Sequence, residues 1–515
     1  MLVKTYAAAV QGISATLITI EVSCTKGIQF FLVGLPDIAV RESHERIISA
    51  LQVNGLNFPR NRIVVNMAPA DIRKEGSAYD LPLAIGILAA ANELGADAPS
   101  KLEKIMLMGE LSLDGSLQAV KGALPIAIKA REDGFEGLIV PKQNVREAAV
   151  VNNIDVYGAE NIKEVIDFFS GKGELEKTVV NTREEFYARQ QMFDFDFSEV
   201  RGQENVKRAL EVAAAGGHNL IMIGPPGSGK SMMAKRLPSI LPPFTLQEAL
   251  ETTKIHSVAG KVDRNTSLLA QRPFRSPHHT ISDVAMVGGG AFPQPGEISL
   301  AHNGVLFLDE LPEFNRSVLE VLRQPLEDRR IGISRARFAV DYPASFMLVA
   351  SMNPCPCGYY NHPDRQCLCV PGSVQKYMNR ISGPLLDRID IQIEIVPVPF
   401  EKISEQRPAE PSAAIRERVI HAREIQNKRF ENDEGTHCNA QMSSKQLHKY
   451  AVPDEAGLQM LKNAMLQLSL SARAYDRILK VSRTIADLEG APDIRSNHLA
   501  EAIHYRNLDR ETWGT

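Results

Sequence analysis

The sequence predicts a mixed α/β protein with a phosphate-binding loop at its centre and a helical C-terminal part. Three observations lead to this fold class. A loop of the form G-x-x-x-x-G-K-[ST] follows a short apolar strand. Apolar runs typical of buried strands alternate with helical patterns up to about residue 400, and helical spacing alone follows. The 515 residues suffice for about three domains.

The first segment, residues 1–170, is predicted to be one α/β unit. Its apolar runs indicate strands at Phe30–Val33, Arg62–Asn66 and Gly137–Val140, and helices at Ala39–Asn54 and Leu81–Leu94. A polar stretch that opens on Ser170-Gly171-Lys172-Gly173 follows. We therefore predict a linker over residues 171–196.

The second segment, residues 197–400, contains the phosphate-binding loop. Leu220–Ile223 is suited to a buried strand and Met232–Leu237 to a helix, which is the context that this motif requires. Backbone N–H groups in such a loop surround a phosphate at the positive end of a helix. We expect Lys230 to contact the β- and γ-phosphates of ATP and Ser231 to ligate Mg²⁺. The residues expected to bind the nucleotide are Gly224, Pro225, Pro226, Gly227, Ser228, Gly229, Lys230 and Ser231.

Two further strands of this segment end in polar residues suited to hydrolysis. Val305–Leu308 is followed by Asp309, which can hold Mg²⁺, and by Glu310, which can act as general base toward the attacking water. Ser345–Ser351 leads to Asn353, whose amide can hold that water or contact the γ-phosphate. The alternative for Asn353 is a turn residue before a proline.

A cation that reaches the γ-phosphate from a neighbouring subunit accelerates phosphoryl transfer. Arg388 is the first candidate for this arginine finger, and Arg380 is the second. The alternative is a surface arginine that pairs with Asp387 or Asp390.

The last segment, residues 401–515, is predicted to be a helical lid. A proline-containing stretch, Glu405–Pro411, marks its start, and apolar residues recur every three or four positions within Ser471–Glu489. Arg473 is expected to contact the bound nucleotide from this lid. Arg477, one turn further, competes for the same role.

The order of these parts resembles that of AAA+ ATPases, and specifically of the magnesium-chelatase-like branch. The resemblance is carried by Phe197–Gln203, the phosphate-binding loop, Arg275–Ser282 and Leu385–Asp390. Over its whole length the chain is similar to the ComM/YifB family. This resemblance implies a ring-forming ATPase, usually hexameric, that acts as a DNA helicase. In that family such helicases promote branch migration when transforming DNA is integrated, so single-stranded or branched DNA is the implied partner.

The front segment is similar to the proteolytic domain of Lon over residues 69–83. The position of the nucleophilic serine falls on Ala78, with Ser77 one place early, and the position of the lysine falls near Leu124. A relocated pair of Ser77 with Lys121 or Lys129 is the alternative, but both side chains must reach one site. We therefore predict an inactive domain that serves as a scaffold or binds a protein partner.

Four cysteines form two C-x-C pairs separated by nine residues: Cys355, Cys357, Cys367 and Cys369. Four thiolates are a typical Zn²⁺ ligand set, although the gap within each pair is shorter than usual. Four reduced cysteines without a metal are the alternative. His278, His279 and His362 are spare ligands, although such histidines more often cap turns or bind phosphates. Because the loop lies between Asn353 and Arg388, a metal there would be structural and would brace a subunit interface.

A basic stretch between two predicted strands is the candidate DNA contact, with Arg329, Arg330, Arg335 and Arg337. In a ring such a hairpin can follow a phosphate backbone without reading bases. The net charge of −4 excludes a global positive field. A solvated basic face is the alternative for this stretch.

Composition places the chain among globular proteins, with 44% hydrophobic and 23% charged residues. No apolar run reaches the length of a membrane span, and the N-terminus does not resemble a secretion signal, so we expect a cytoplasmic location. The leading hypothesis is an ATP-driven DNA motor. The alternatives are a chelatase-like or chaperone-type ATPase that remodels a protein, with the front domain as adaptor, and thirdly an ATP-dependent protease, which Ala78 disfavours.

Overall fold

The computed structural model describes residues 1–290, 293–335, 338–360, 362, 364–398, 409–433, 435–468 and 470–506. It divides into two compact units. The first comprises residues 1–189 and 246–270 with a short piece at 336–342, and the second comprises the remaining chain. Within the described residues, no helix has both the length and the hydropathy needed to cross a bilayer.

The first unit is built on a seven-stranded mixed sheet. In spatial order its strands are Phe30–Val33, Arg62–Ala68, Ser14–Thr25, Leu2–Gln11, Ile105–Leu107, Gly137–Pro141 and Asp155–Ala159. The helices are Ile38–Arg41, Ser43–Val53, Asp80–Ala90, Ala98–Leu102, Ala123–Glu132, Val145–Ala148, Ile162–Phe169, Thr182–Arg189 and Leu246–Val258. The three predicted strands are confirmed.

The sequence patterns missed the longest strand pair of this sheet. Leu2–Gln11 and Ser14–Thr25 run antiparallel and are joined by a two-residue turn. Gly12 opens the turn at a φ of 62°, a left-handed conformation that glycine adopts without strain. Burial alternates along much of both strands, as expected for a sheet with one face against a core.

Helix Leu246–Val258 belongs to the first unit, although it lies within the segment predicted to hold the phosphate-binding loop. The carbonyl oxygen of Ser257 accepts a hydrogen bond from the backbone N–H of Gly122, and Leu250 packs against the core of this unit. These contacts join residues far apart in the chain, so local spacing carried no sign of them.

The second unit contains a five-stranded sheet that is parallel throughout. Its spatial order is Phe274–Arg275, Val305–Leu308, Met347–Met352, Leu220–Ile223 and Ile391–Glu394. The three central strands are fully buried, as expected for strands covered on both faces. The carboxyl ends of parallel strands meet at one edge, and this edge therefore collects the polar residues that follow each strand.

Helices surround this sheet and then form the C-terminal part, which confirms the predicted α/β class with a helical lid. Around the sheet they are Glu204–Gly216, Lys230–Arg236, Asp283–Val287, Glu297–Leu300, Arg316–Glu320, Arg323–Asp328, Ser373–Met378 and Gly383–Leu386. The C-terminal helices are Ser412–Arg429, Ser444–Tyr450, Glu455–Gln467, Ala472–Leu488 and Ser496–His504. Ser471 caps Ala472–Leu488 by accepting from the backbone N–H of Ala474. Residues 399–408, which include most of the predicted boundary, lie outside the described residues.

Candidate functional site

The phosphate-binding loop joins strand Leu220–Ile223 to helix Lys230–Arg236, as the motif requires. Gly227 and Gly229 have φ values of 77° and 90°, which favour glycine. A Cβ at Gly224 would lie 2.6 Å from the backbone oxygen of Ile395. The glycines are therefore needed for the path of the backbone as well as for access to a phosphate.

Lys230 lies where the loop, the acidic strand and the asparagine strand meet. Its Nζ donates to the carbonyl oxygens of Gly224 and Pro225 at 2.7 and 2.9 Å, and it lies 3.2 Å from Oδ1 of Asn353. Burial lowers the pKa of Lys230, and the nearby acids Asp309 and Glu310 oppose that shift. The structure thus brings Lys230 and Asn353 together, as the strand order implies.

Asp309 joins the loop to the strand end beside it. Its Oδ2 accepts from the hydroxyl of Ser231 at 2.6 Å, and its Oδ1 accepts from the hydroxyl of Ser351. A hydroxyl and a carboxylate in contact are the pair that holds Mg²⁺ in phosphate-loop proteins. The hydroxyl oxygen of Ser228 is buried without a hydrogen-bond partner among the described residues, which fits a phosphate oxygen in this loop. These residues therefore fit Mg²⁺-ATP.

Glu310 has an exposed side chain and a left-handed backbone, with φ 55° and ψ 50°. Its Oε2 lies 3.8 Å from Nδ1 of His279, whose ring contacts that of His278 at a tilt of 34° with centroids 4.1 Å apart. On sequence alone, these histidines are candidate spare zinc ligands, turn caps or phosphate contacts. The structure places His279 beside the candidate general base. A role at the ATP site could have been inferred from its position in Arg275–Ser282, one of the stretches that carry the family resemblance.

The two candidate finger arginines differ in exposure. The Arg388 side chain is 10% exposed, forms an ion pair with Glu327 at 2.5 Å and donates to the carbonyl oxygen of Pro384 at 2.6 Å. The Arg380 side chain is 53% exposed and lies 3.0 Å from Glu313. Arg388 is therefore largely enclosed by its own chain, whereas Arg380 is accessible to solvent. The difference arises because Glu327, far away in sequence, covers the Arg388 guanidinium.

Arg473 and Arg477 occupy the first turns of helix Ala472–Leu488. Arg473 is exposed and lies 3.3 Å from Asp387, while Arg477 is largely buried and lies 2.9 Å from Oδ1 of Asp390. Of the two, Arg473 is accessible to a ligand, whereas Arg477 is largely buried in its ion pair with Asp390. Both contacts tie the lid to the segment that contains Arg388.

Asp390 is the centre of a buried polar cluster that the sequence patterns missed. Its Oδ2 lies 3.2 Å from Nδ1 of His218 and accepts from the backbone N–H of Asn219, while Nε2 of His218 lies 2.8 Å from the hydroxyl of Thr484. Burial alone would raise the pKa of Asp390, but Arg477 and His218 hold it well below its usual range. Burial lowers the pKa of His218 despite the neighbouring carboxylate. This cluster joins the core and the lid through fully enclosed groups.

The four predicted metal ligands converge. The sulfur atoms of Cys355, Cys357, Cys367 and Cys369 all lie within 4.8 Å of one another, and three of their separations are 3.3, 3.5 and 3.8 Å. Tetrahedral Zn²⁺ with Zn–S bonds of about 2.3 Å requires sulfur atoms about 3.8 Å apart. All six cysteines are free thiols. The side chains thus fit a thiophilic divalent ion. His362 is not part of this group, because its Nδ1 accepts from the backbone N–H groups of Asp364 and Arg365.

The candidate DNA arginines are partly described. Arg330 is exposed at the start of strand Arg330–Arg335. Arg329 is half-buried at the end of helix Arg323–Asp328, and burial lowers its pKa. Arg329 therefore lies just before the hairpin, which begins with strand Arg330–Arg335. The side chain of Arg335 and the whole of Arg337 lie outside the described residues.

The residues of the first unit that were compared with the catalytic serine and lysine of Lon make local contacts or are buried. Lys129 pairs with Asp133 at 2.8 Å, and the Lys121 side chain packs against Gly260. Leu124 is fully buried at the start of helix Ala123–Glu132. Ala78 and Ser77 lie in the turns that precede helix Asp80–Ala90. The absence of protease activity stays a prediction.

Comparison with known proteins gives three family matches. Residues 196–403 match the family described as magnesium chelatase, subunit ChlI, residues 20–144 match subunit ChlI of Mg-chelatase, and residues 409–506 match the C-terminal part of subunit ChlI. The chain is 44% identical to the competence protein ComM of Haemophilus influenzae, over 98% of this chain and 97% of that protein. It is also 44% identical to YifB of Salmonella typhimurium, over 97% and 96%. Lon protease 2 of Bacillus subtilis is 30% identical over 28% of this chain and 27% of that protein.

Proposed function

Because this chain belongs to the ComM/YifB family of magnesium-chelatase-like AAA+ ATPases, we propose that it couples ATP hydrolysis to movement on DNA as a ring of identical subunits. The observation that carries the ATPase part is the convergence of Lys230, Asp309 and Asn353 at one edge of the parallel sheet. The name of the ComM relative supports a role in competence, which is the uptake of DNA.

Each residue at the sheet edge has a distinct role in the proposed reaction. Lys230 would bind the β- and γ-phosphate oxygens of ATP, and Ser231 with Asp309 would hold Mg²⁺. Bound Mg²⁺ supplies charge neutralisation at the phosphates. Glu310 accepts a proton from the attacking water, since its carboxylate is exposed beside Asp309. Asn353 holds the water or the γ-phosphate in position, within reach of Lys230.

A ring is proposed because an arginine from a neighbouring subunit would complete the site at the γ-phosphate, and the family resemblance implies a hexamer. Arg380 reaches solvent in the isolated subunit and can extend to a neighbour after leaving Glu313. Arg388 must first break its pair with Glu327. Arg473 is exposed, and we propose that it adds a lid contact to the nucleotide. We expect ATP turnover to rise with protein concentration as subunits assemble.

DNA is the proposed track, and Arg330 is the described exposed arginine that supports it. We propose that Arg330, Arg335 and Arg337 contact DNA phosphates. Arg329, half-buried just before β-strand Arg330–Arg335, is proposed to fix the position of that β-strand. The test is the ATPase rate with no DNA, single-stranded DNA and branched DNA. We expect stimulation that is lost in the Arg335→Ala, Arg337→Ala double variant. Unchanged rates with every DNA form, together with an unchanged oligomeric state, would refute the DNA motor.

Glu310→Gln tests the ATPase independently of DNA. The variant should bind ATP as the wild type does and lose turnover by roughly 100-fold to 10,000-fold, the usual contribution of a general base. Hydrolysis at the wild-type rate would remove Glu310 from this role.

A protein-remodelling ATPase is the second candidate, and an apolar edge of the first unit favours it. Strand Phe30–Val33 lies at the edge of the seven-stranded sheet; Phe31 and Val33 within it are exposed, as are Leu35 and Ile38 just after it. An exposed apolar edge can pair with another polypeptide. Stimulation of ATP turnover by an unfolded protein, with no response to DNA, would favour this candidate.

The four-cysteine cluster is proposed to hold one Zn²⁺ per chain, since the sulfur positions match tetrahedral ligation. Elemental analysis of the purified chain tests this directly. Less than about half an atom of zinc per chain would count against the site.

A further inference from the structure

The four-cysteine loop lies directly on the phosphate-binding loop. A Cβ placed on Gly358, next to Cys357, would lie 2.6 Å from Cδ and 2.9 Å from Cγ of Pro226. Gly358 has a φ of 85°, so the chain passes Pro226 in a left-handed turn that has no room for a side chain. The sequence predicts a structural metal in this loop that braces a subunit interface, and that interface stays a prediction. The structure puts the turn between the cysteines against a residue of the phosphate-binding loop.

A second connection runs along the chain. Strand Met347–Met352 ends at Asn353, whose Oδ1 lies 3.2 Å from Nζ of Lys230, and Cys355 follows two residues later. Cys355 is fully buried. The position of this first cysteine therefore helps to set the direction in which Asn353 leaves the strand.

The loop is also folded around its own sulfur atoms. The backbone N–H of Tyr360 donates to the sulfur of Cys355 at 3.3 Å, and the N–H of Gly358 donates to the Cys355 carbonyl oxygen at 3.0 Å. Backbone N–H groups that point to sulfur orient thiolates for a metal and support them electrostatically. Through this turn, a displacement of the cysteines would displace Gly358.

We propose that a tetrahedral Zn²⁺-type ion bound by Cys355, Cys357, Cys367 and Cys369 positions the ATP site, by holding Gly358 against Pro226 and Asn353 beside Lys230. The proposal rests on the proposed nucleotide binding. The cysteines are positioning residues, because they act on the nucleotide through Pro226 and Asn353. Loss of the metal should therefore weaken nucleotide binding. A metal that only stabilised a surface far from the nucleotide would not have this effect.

The first test uses the full chain with Cys367→Ser, Cys369→Ser and with Cys24→Ser as the matched control. Cys24 is a free cysteine of the first unit, whereas the cluster belongs to the second. Zinc content is measured by elemental analysis, and affinity for a fluorescent ATP analogue is measured with Mg²⁺. We expect about one zinc per chain in wild type and control. The double variant should lose zinc and bind the analogue at least tenfold more weakly. Zinc-free wild type, or zinc loss with unchanged affinity, would overturn the proposal.

The second test keeps all four cysteines and changes the contact itself. Gly358→Ala should retain zinc but bind the analogue several-fold more weakly, because the methyl group displaces Pro226. Gly372→Ala is the control, since Gly372 has a similar φ of 78° and open space around its Cβ position among the described residues. Equal affinities of the two variants would refute the coupling. A wild type that binds zinc but no nucleotide would instead contradict the proposed function.

Discussion

Replacement of Asp390 by asparagine should destabilise the second unit strongly at almost constant side-chain volume. Asp390 is 1% exposed, and its two oxygens face Arg477 at 2.9 Å and His218 at 3.2 Å. Arg329 and Lys480 add positive charge nearby. The variant leaves this positive cluster without its buried counter-charge.

The structure sets the expected size of the loss. Removal of one partner from a buried ion pair costs about 3–5 kcal/mol. Arg477 is 22% exposed and keeps some hydration, so we expect the lower end, about 3 kcal/mol. For a large domain this is a fall of roughly 6–12 °C in Tm. Asp387→Asn is the matched control, three residues away. Its exposed pair with Arg473 at 3.3 Å should contribute less than about 1 kcal/mol.

Differential scanning calorimetry of the full chain measures both variants. The transition of the second unit is identified by its upward shift with Mg²⁺-ATP, because a ligand stabilises the unit that binds it. We expect Asp390→Asn to lower this transition well beyond the Asp387→Asn control. Equal transitions in the two variants would refute the view that the buried pair stabilises the junction of core and lid.

Three further predictions follow from the site. Gly224→Ala should abolish binding of a fluorescent ATP analogue, because its methyl group would meet a backbone oxygen at 2.6 Å, whereas Gly383→Ala, with open space among the described residues, should bind normally. Arg380→Ala should lower ATP turnover in the assembled protein without changing Tm, because its side chain is exposed. Arg388→Ala should lower both turnover and Tm, because its side chain is buried. A lower Tm for Arg380→Ala with an unchanged Tm for Arg388→Ala would contradict this interpretation. The pKa of His218 is lowered on folding, so its contribution to stability is present above about pH 6.5 and is lost as pH falls below that value. Unfolding free energy should therefore fall between pH 7 and 5, by at most about 1.4 kcal/mol per pH unit from this group, and His218→Gln should flatten the slope.

The residues at the sheet edge could be predicted because their spacing follows from topology. A phosphate-binding loop requires a strand before it, and parallel strands bring Asp309 and Asn353 to the same edge. The cysteine cluster was predictable from two C-x-C pairs in one short segment. In these cases local sequence pattern and global fold point to the same answer.

The remaining features depend on contacts between distant segments. Arg388 pairs with Glu327, and the pKa of His218 is lowered by burial and partly restored by Asp390. The contact of Gly358 with Pro226 likewise joins two loops that no local pattern connects. Each of these features arises from the packing of elements that are separate in sequence, where propensity and spacing carry no information.

The order of strands in the two sheets has a consequence for synthesis on the ribosome. Leu2–Gln11 and Ser14–Thr25 pair across a two-residue turn and can associate as soon as both have emerged. Strand Leu220–Ile223 pairs on both sides with strands made much later, Met347–Met352 and Ile391–Glu394. At roughly 5–20 residues per second, this apolar strand waits on the order of ten seconds for its neighbours. The nascent sheet of the second unit therefore leaves an apolar strand unpaired while translation continues, and such a strand is prone to aggregation.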